Sequence, residues 1–302
     1  MQLPIVDDLT RLFTNMSRTY HRQFRVRGYE VGASARVHDS VFLNYIQQAA
    51  FEASADAGYD TRRYDALGTI WVIRKQTIAY LASLFYDDVV QLTTWVSDVR
   101  RVRSNREYAL RRAADDSLVA VARADWVYLD VAKQFPHRIT PDIIQAFQPN
   151  GRSALDDAPP IEPNQRVSGR SFVYHHSVKS YELDNLRHVN NANYLNWLHQ
   201  ARLDALSGAG YAPNTETYTF TNLGGNISPV RYEIEYLVPA VGGDQVEVRS
   251  QVVAAGTNQL TWLHQIYRDQ QRLVEATAVV CFEDPDGGIP RLPSGLLQAL
   301  VP

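Results

Sequence analysis

The chain has one cysteine, Cys281, two methionines and no long apolar run in its 302 residues. A single thiol excludes an internal disulfide framework. Cys281 stands in the strand-like run VVCFE, where a buried and inert thiol is expected. No stretch approaches the roughly 20 apolar residues of a membrane-spanning helix. The N-terminus MQLPIVDDLTRLF carries Asp7 and Asp8 and lacks the apolar core of a secretory signal, so cytoplasmic residence is the default expectation. An excess of one charge is missing as well: 30 basic and 33 acidic side chains leave a net charge of −3. Without a basic stripe, nucleic acid is not an expected partner. The densest basic run, Arg100 to Arg112, mixes Arg with Ser, Asn and Glu and reads as a solvated strand face. His175, His176 and His264 lack the spacing of metal ligands, so no metal is expected. What is present is a 45% hydrophobic composition, enough for a sizeable globular core.

The strongest positive signal is self-similarity. Residues 26–59 align without a gap on 178–211, at an offset of 152, with identities at 12 of 34 positions. Among them are Val26, Tyr29, Glu30, Val37, Leu43, Asn44, Gly58 and Tyr59. Further along, Tyr80-Leu81 matches Tyr236-Leu237 and Asp88 matches Asp244, at an offset of 156. A repeat of this length implies two copies of one supersecondary unit.

Each copy reads in the same order. A short strand (FRVRGYEV or YHHSVKSYEL) leads through a loop to a helix. Over Val41–Ala57 the apolar residues Phe42, Tyr45, Ile46, Ala49 and Ala53 recur at helical spacing, and Tyr194, Leu195, Trp197, Leu198, Ala201 and Ala205 repeat the stripe. Gly58 and Gly210 stand where these helices should end, because glycine accepts the left-handed cap conformation. Four β-rich runs follow each helix: WVIRKQTIAYL, VVQLTTWVSDV, REYALRR and LVAVARADWVYLD, then RYEIEYLV, QVEVRSQVV, LTWLHQIYR and LVEATAVVCFE. Alternating β-branched and aromatic residues mark them as antiparallel strands with one covered face. The expected class is α+β, with one long helix wrapped by an antiparallel sheet in each copy. The expected division is an N-terminal extension over 1–17, a first unit over 18–140, a linker over 141–168 and a second unit over 169–302. The linker is rich in Pro, Gly, Asp and Asn, with a short helix at Pro141–Phe147.

The copies part company in the loop before each helix. The second reads Tyr181-Glu182-Leu183-Asp184-Asn185-Leu186-Arg187-His188-Val189-Asn190-Asn191. In the first, Gly32 stands opposite Asp184, Arg36 opposite His188, and His38-Asp39 opposite Asn190-Asn191. Scaffold residues agree while the ionisable pair does not, as expected of a duplication that kept one site and lost the other.

YELDNLRHVNNANYLNWLHQAR resembles the signature of hotdog-fold thioesterases of the 4-hydroxybenzoyl-CoA thioesterase type. The tandem arrangement is similar to plant and bacterial acyl-ACP thioesterases, which are double hotdogs. The resemblance covers about residues 18–290 and implies two hotdog folds, hydrolysis of a fatty acyl thioester on acyl carrier protein or coenzyme A, and no cofactor. It also implies an intrachain pseudo-dimer, with association of two chains left open. Asp184 and His188 carry over as catalytic residues. Departures from the pattern are Leu186 where the plant enzymes have Asn, Ala240 or a neighbour where they have Glu, and Arg187 where the general signature has Gly.

Chemistry gives these residues a purpose. A thioester is already activated, since its thiol leaving group has a pKa of about 8.5, so the site must chiefly activate water and stabilise an oxyanion. Asp184 is the expected base or nucleophile, and His188 would orient the carbonyl or the water. A helix starting near Asn190 or Asn191 would offer N–H groups and its positive end to the oxyanion, although such residues more often cap a helix. Tyr194 and Trp197 are candidates for the acyl pocket or the core. Alternatives are a hotdog enoyl-thioester hydratase and a non-catalytic acyl-thioester binding or regulatory protein.

Overall fold

A computed structural model describes residues 18–161, 164–214, 226–283, 292 and 294–301. The extension expected over 1–17 lies outside them. Chain order begins with β1 (Thr19–Arg25), a single 3-10 turn (Gly28–Glu30) and the long helix α1 (Asp39–Asp56). The short helix α2 (Thr61–Leu67) follows, then β2 (Thr69–Tyr80), β3 (Val89–Arg100), β4 (Arg103–Arg112) and β5 (Leu118–Asp130). After β6 (Phe135–Pro136) and α3 (Pro141–Phe147) come β7 (Gln165–Arg166), β8 (Phe172–Ser177) and a second 3-10 turn (Ser180–Glu182). The second long helix α4 (Asn191–Gly208), β9 (Asn226–Tyr236), β10 (Gln245–Ala255), β11 (Gln259–Arg268), β12 (Gln271–Glu283) and α5 (Ser294–Leu300) complete the order.

Every strand belongs to one antiparallel sheet. Its order is β1-β3-β4-β5-β2-β9-β12-β11-β10, with β7 and β8 both on β10 and β6 on β5. Counted inward from either edge, the long strands occupy corresponding places, and the centre is the β2–β9 pair. That seam runs from Lys75 opposite Glu235 to Ala79 opposite Arg231. Ion pairs flank it: Lys75 Nζ lies 3.1 Å from Glu233 and Arg74 Nη2 lies 2.9 Å from Glu235. Bulges at Ile73/Lys75, Val96/Asp98 and Val252/Ala254 bend the strands around the helices.

Both long helices lie against the sheet and against each other. On α1 the side chains of Val41, Phe42, Tyr45, Ile46, Ala49, Ala50 and Ala53 are buried, and on α4 those of Tyr194, Leu195, Trp197, Leu198, Ala201, Arg202 and Ala205. The predicted stripes are therefore the buried faces, with Arg202 added to the second. Gly58 and Gly210, at φ of +83° and +89°, end them in the left-handed conformation. One apolar cluster contains residues of both helices and of both sets of strands, so the two halves share a core.

The segment from Gln148 onward is held down on the outer face. Trp95 Nε1 donates to the Arg152 carbonyl, and Ala154, fully buried, donates its N–H to Glu107. The Glu107 carboxylate also accepts from Ser97 and from Arg123 at 2.6 Å. The Arg100–Arg112 run is thus solvated only in part, because Arg106 and Glu107 are both buried. Cys281 is half-buried, and burial pushes its thiol up to about 11, in keeping with an inert side chain.

Candidate active site

The loop before α4 hangs from a buried carboxylate. Glu182 is 7% exposed, while its neighbour Tyr181 is 82% exposed. Its carboxylate meets His176 Nε2 at 2.9 Å, Trp197 Nε1 at 2.8 Å and the Lys179 N–H at 2.7 Å. Burial alone would raise its pKa, but these bonds outweigh burial and hold it below the ordinary value of 4.5. The Glu30 carboxylate anchors the loop before α1, accepting from Tyr45 Oη at 2.6 Å and from the Arg27 N–H at 2.8 Å. The repeated Tyr-Glu pair is therefore a structural anchor whose acid points inward.

From Glu182 the chain makes a tight turn. Asp184 N–H donates to the His188 carbonyl and Arg187 N–H to the Asp184 carbonyl. Arg187 sits at φ +62°, the left-handed region that favours glycine. Ala35 takes the same place at φ +60° in the first loop, where Gly32 and Arg36 repeat the turn. The left-handed position is kept in both loops without a glycine.

Asp184 is half-buried, and its Oδ1 accepts the N–H groups of Leu186 at 2.9 Å and His188 at 3.3 Å. Its Oδ2 has no partner among the described residues. Asp184 and His188 are joined through the His188 backbone, and the His188 imidazole makes no hydrogen bond among the described residues. Asn190 caps α4, its Oδ1 accepting from Ala192 N–H at 3.0 Å, and its own N–H is used by the Glu182 carbonyl. Asn191 begins the helix, and its N–H has no partner among the described residues. This is the donor that the helix end leaves for a ligand.

Tyr194 and Trp197 lie 2% exposed beneath the loop, with Trp197 bonded to Glu182 and Tyr194 Oη accepting the Ala240 N–H at 2.9 Å. Ala240 itself accepts from Val189 N–H at 2.9 Å, so the chain after β9 does border the loop, with a methyl group and no carboxylate at that place. Sequence reasoning missed two further neighbours. Tyr236 Oη reaches the Asn191 carbonyl at 3.2 Å and Gln76 Oε1 at 2.9 Å, and Gln76 comes from β2, across the seam.

The first loop holds different chemistry in the same frame. A Cβ on Gly32 would lie 2.7 Å from the His38 ring, so that ring fills the space an acid would need. Arg36 crosses the seam, with Nη1 at 2.6 Å from both Ser228 Oγ and Glu283 Oε2. Asp39, the first residue of α1, faces Tyr232 Oη at 3.1 Å, His199 at 3.9 Å and Arg202 at 4.0 Å.

A long helix wrapped by an antiparallel sheet, entered through an acid-bearing loop, is the hotdog arrangement of thioesterase-like proteins, and the comparisons agree. Residues 17–147 match the acyl-ACP thioesterase N-terminal domain, and residues 178–300 match the thioesterase-like superfamily. In sequence order, then, a match to the acyl-ACP thioesterase N-terminal domain is followed by a match to the thioesterase-like superfamily. Among named relatives, oleoyl-acyl carrier protein thioesterase 2 of Arabidopsis thaliana is 24% identical over 198 residues, which cover 60% of this chain and 53% of that one. The chain thus spans about half the length of the curated relatives it matches. Among solved structures, the 12:0-ACP thioesterase from Umbellularia californica superposes with a TM-score of 0.69 at 15% identity, covering 88% of this chain and 94% of that one. An acyl-ACP thioesterase from Bacteroides thetaiotaomicron gives 0.64 at 17% identity, covering 87% and 97%. These structures share the fold.

Proposed function

We propose that this chain hydrolyses a fatty acyl thioester of acyl carrier protein, using one site, in the second of two hotdog units that arose by duplication. The units divide near the segment 141–168 and act as an intrachain pseudo-dimer. The observation that carries this reading is the pairing of a half-buried carboxylate, Asp184, with the unpartnered Asn191 N–H at the start of an 18-residue helix. In the first unit the His38 ring takes the space that a side chain on Gly32 would need, and Asp39 brings its own carboxylate to the start of α1.

Water held on Asp184 Oδ2 attacks the thioester carbonyl carbon and gives its proton to the carboxylate. The carbonyl oxygen becomes an oxyanion at the Asn191 N–H, favoured by the helix dipole. As the intermediate collapses, the carbon–sulfur bond breaks, and the departing thiolate takes the proton from Asp184. The products are a free acid and a thiol. His188, with its imidazole uncommitted, orients the water or the carbonyl. Tyr194 and Trp197 support the loop from below and face the acyl group only through it.

Thiol release from acyl-carrier-protein and acyl-coenzyme A thioesters of graded chain length is the test. Turnover on the carrier-protein thioesters is the expected result. Turnover on the coenzyme A series alone would reassign the carrier. Saturable binding without thiol release would replace the hydrolase with a binding protein, a reading that the methyl group at Ala240 favours. Hydration of an enoyl thioester would point to the hydratase.

A further inference from the structure

The two long helices begin in matched surroundings that differ in where the negative charge is. Tyr80 Oη donates to the Asp39 carbonyl at 3.0 Å, and Tyr236 Oη does the same for Asn191 at 3.2 Å. Four residues before each tyrosine stand Gln76 and Tyr232, each projecting across the β2–β9 seam toward the other unit's helix. At the α1 end, the Tyr232 phenol donates to the Asp39 carboxylate, which Arg202 and His199 flank. This helix end already holds an anion, supplied by its own first residue. At the α4 end that residue is the neutral Asn191, and Ala50 and Gln47 stand in place of Arg202 and His199 at the offset of 152. The first residue of α4 thus brings no carboxylate of its own to the helix end.

Gln76 occupies the place of the Tyr232 phenol. It is only 3% exposed, yet its Nε2 has no hydrogen-bond partner among the described residues. Tyr236 Oη lies 2.9 Å from its Oε1 and shares one phenol proton between that oxygen and the Asn191 carbonyl. An amide nitrogen without a protein partner is free to donate to a ligand. We infer that Gln76 is a second oxyanion donor, its amide N–H and the Asn191 N–H receiving the thioester carbonyl oxygen together. The first unit thereby supplies a catalytic residue to the site of the second. Neutral donors suit this task, because the carbonyl is uncharged in the bound substrate and charged only in the transition state.

The inference rests on the hydrolase reading and has a readout separate from it. Gln76→Glu keeps the shape of the side chain and removes the N–H donor, and Gln76→Ala removes the amide altogether. With thermal unfolding confirming a native fold, kcat should fall at least about a hundredfold in Gln76→Glu and about tenfold in Gln76→Ala, with KM within about threefold. In parallel, two inert analogues are bound: a ketone in which methylene replaces sulfur, and a thioether in which methylene replaces the carbonyl. Ketone binding should weaken about tenfold in Gln76→Ala, the size of one hydrogen bond, while thioether binding stays as in the wild type. Wild-type kcat in both variants, or equal weakening of both analogues, would overturn the role. The analogue pair reads Gln76 even in a protein that hydrolyses nothing, and a wild type silent toward every thioester would count against the hydrolase reading alone.

Discussion

The loops before α1 and α4 share an anchor, a turn and a left-handed residue, and they use the space inside the turn differently. In the first, Gly32 makes room for the His38 ring, Arg36 reaches Ser228 and Glu283, and Asp39 is engaged by Tyr232. Among the described residues, Asp184 in the second retains an oxygen without a partner, His188 is uncommitted, and the Asn191 N–H and Gln76 Nε2 make no hydrogen bond. One loop spends its polar groups on the protein, and the other keeps them available. Under the proposed function, the comparison separates two jobs that a symmetric pair would have to do twice: holding the halves together and doing chemistry.

Several changes would break or sharpen that contrast. The largest effect belongs to division of the chain. A fragment of residues 169–302 exposes the β9 edge that β2 covers and bares the face of α4 that packs on α1, so it should be insoluble or dimerise, and it should lose most activity. Size-exclusion chromatography and the thioesterase assay decide this, and a soluble, fully active monomer would refute it. Next, Asp184→Asn preserves the shape of the loop but not the base, so kcat should drop at least about a hundredfold with little change in stability. Near-normal turnover would remove Asp184 from the mechanism.

Third, the shared anchor should matter to folding in both units. Glu182→Ala leaves His176, the Lys179 N–H and Trp197 Nε1 without their acceptor, and should cost about 3 kcal/mol in urea unfolding. Because the folded pKa of Glu182 is depressed, its stabilisation is complete above the ordinary value of 4.5 and disappears as pH falls through the folded value. Glu182→Gln should accordingly flatten the loss of stability below that pH, measured as unfolding midpoints across an acid series. The smallest effect is expected in the first loop. Arg36→Ala removes a partly exposed ion pair and should cost about 1 kcal/mol or less, leaving kcat unchanged. Abolished turnover there, with His188→Ala still active, would reverse the assignment of the two units.

Much of the scaffold was legible in the sequence, because its signals are local. The stripes of α1 and α4, their terminal glycines and the α3 helix at Pro141–Phe147 all follow from spacing and turn chemistry. The α2 helix was missed, since it buries none of its residues and has no apolar stripe, although Asp60 at its start and Gly68 at its end mark it. An intrachain pseudo-dimer was expected, but the strands that form its seam were hidden for a different reason: the contact between β2 and β9 joins residues about 160 positions apart, and nothing in either strand's alternation names its partner. Of the proposed site, the candidates Asp184, His188 and the start of α4 could be read from the loop. Gln76 could not, because it lies in the other unit and reaches the helix only through the fold. The inward turn of Glu30 and Glu182 was likewise concealed, for composition suggests that a tyrosine is buried before a glutamate.

Because β2 and β9 belong to one covalent chain, the seam forms at a local concentration set by the chain and not by the amount of protein in solution. Diluting a sample cannot separate the two surfaces, as it would separate subunits that meet only by collision. Specific activity should therefore stay constant down to the lowest protein concentration that an assay can read.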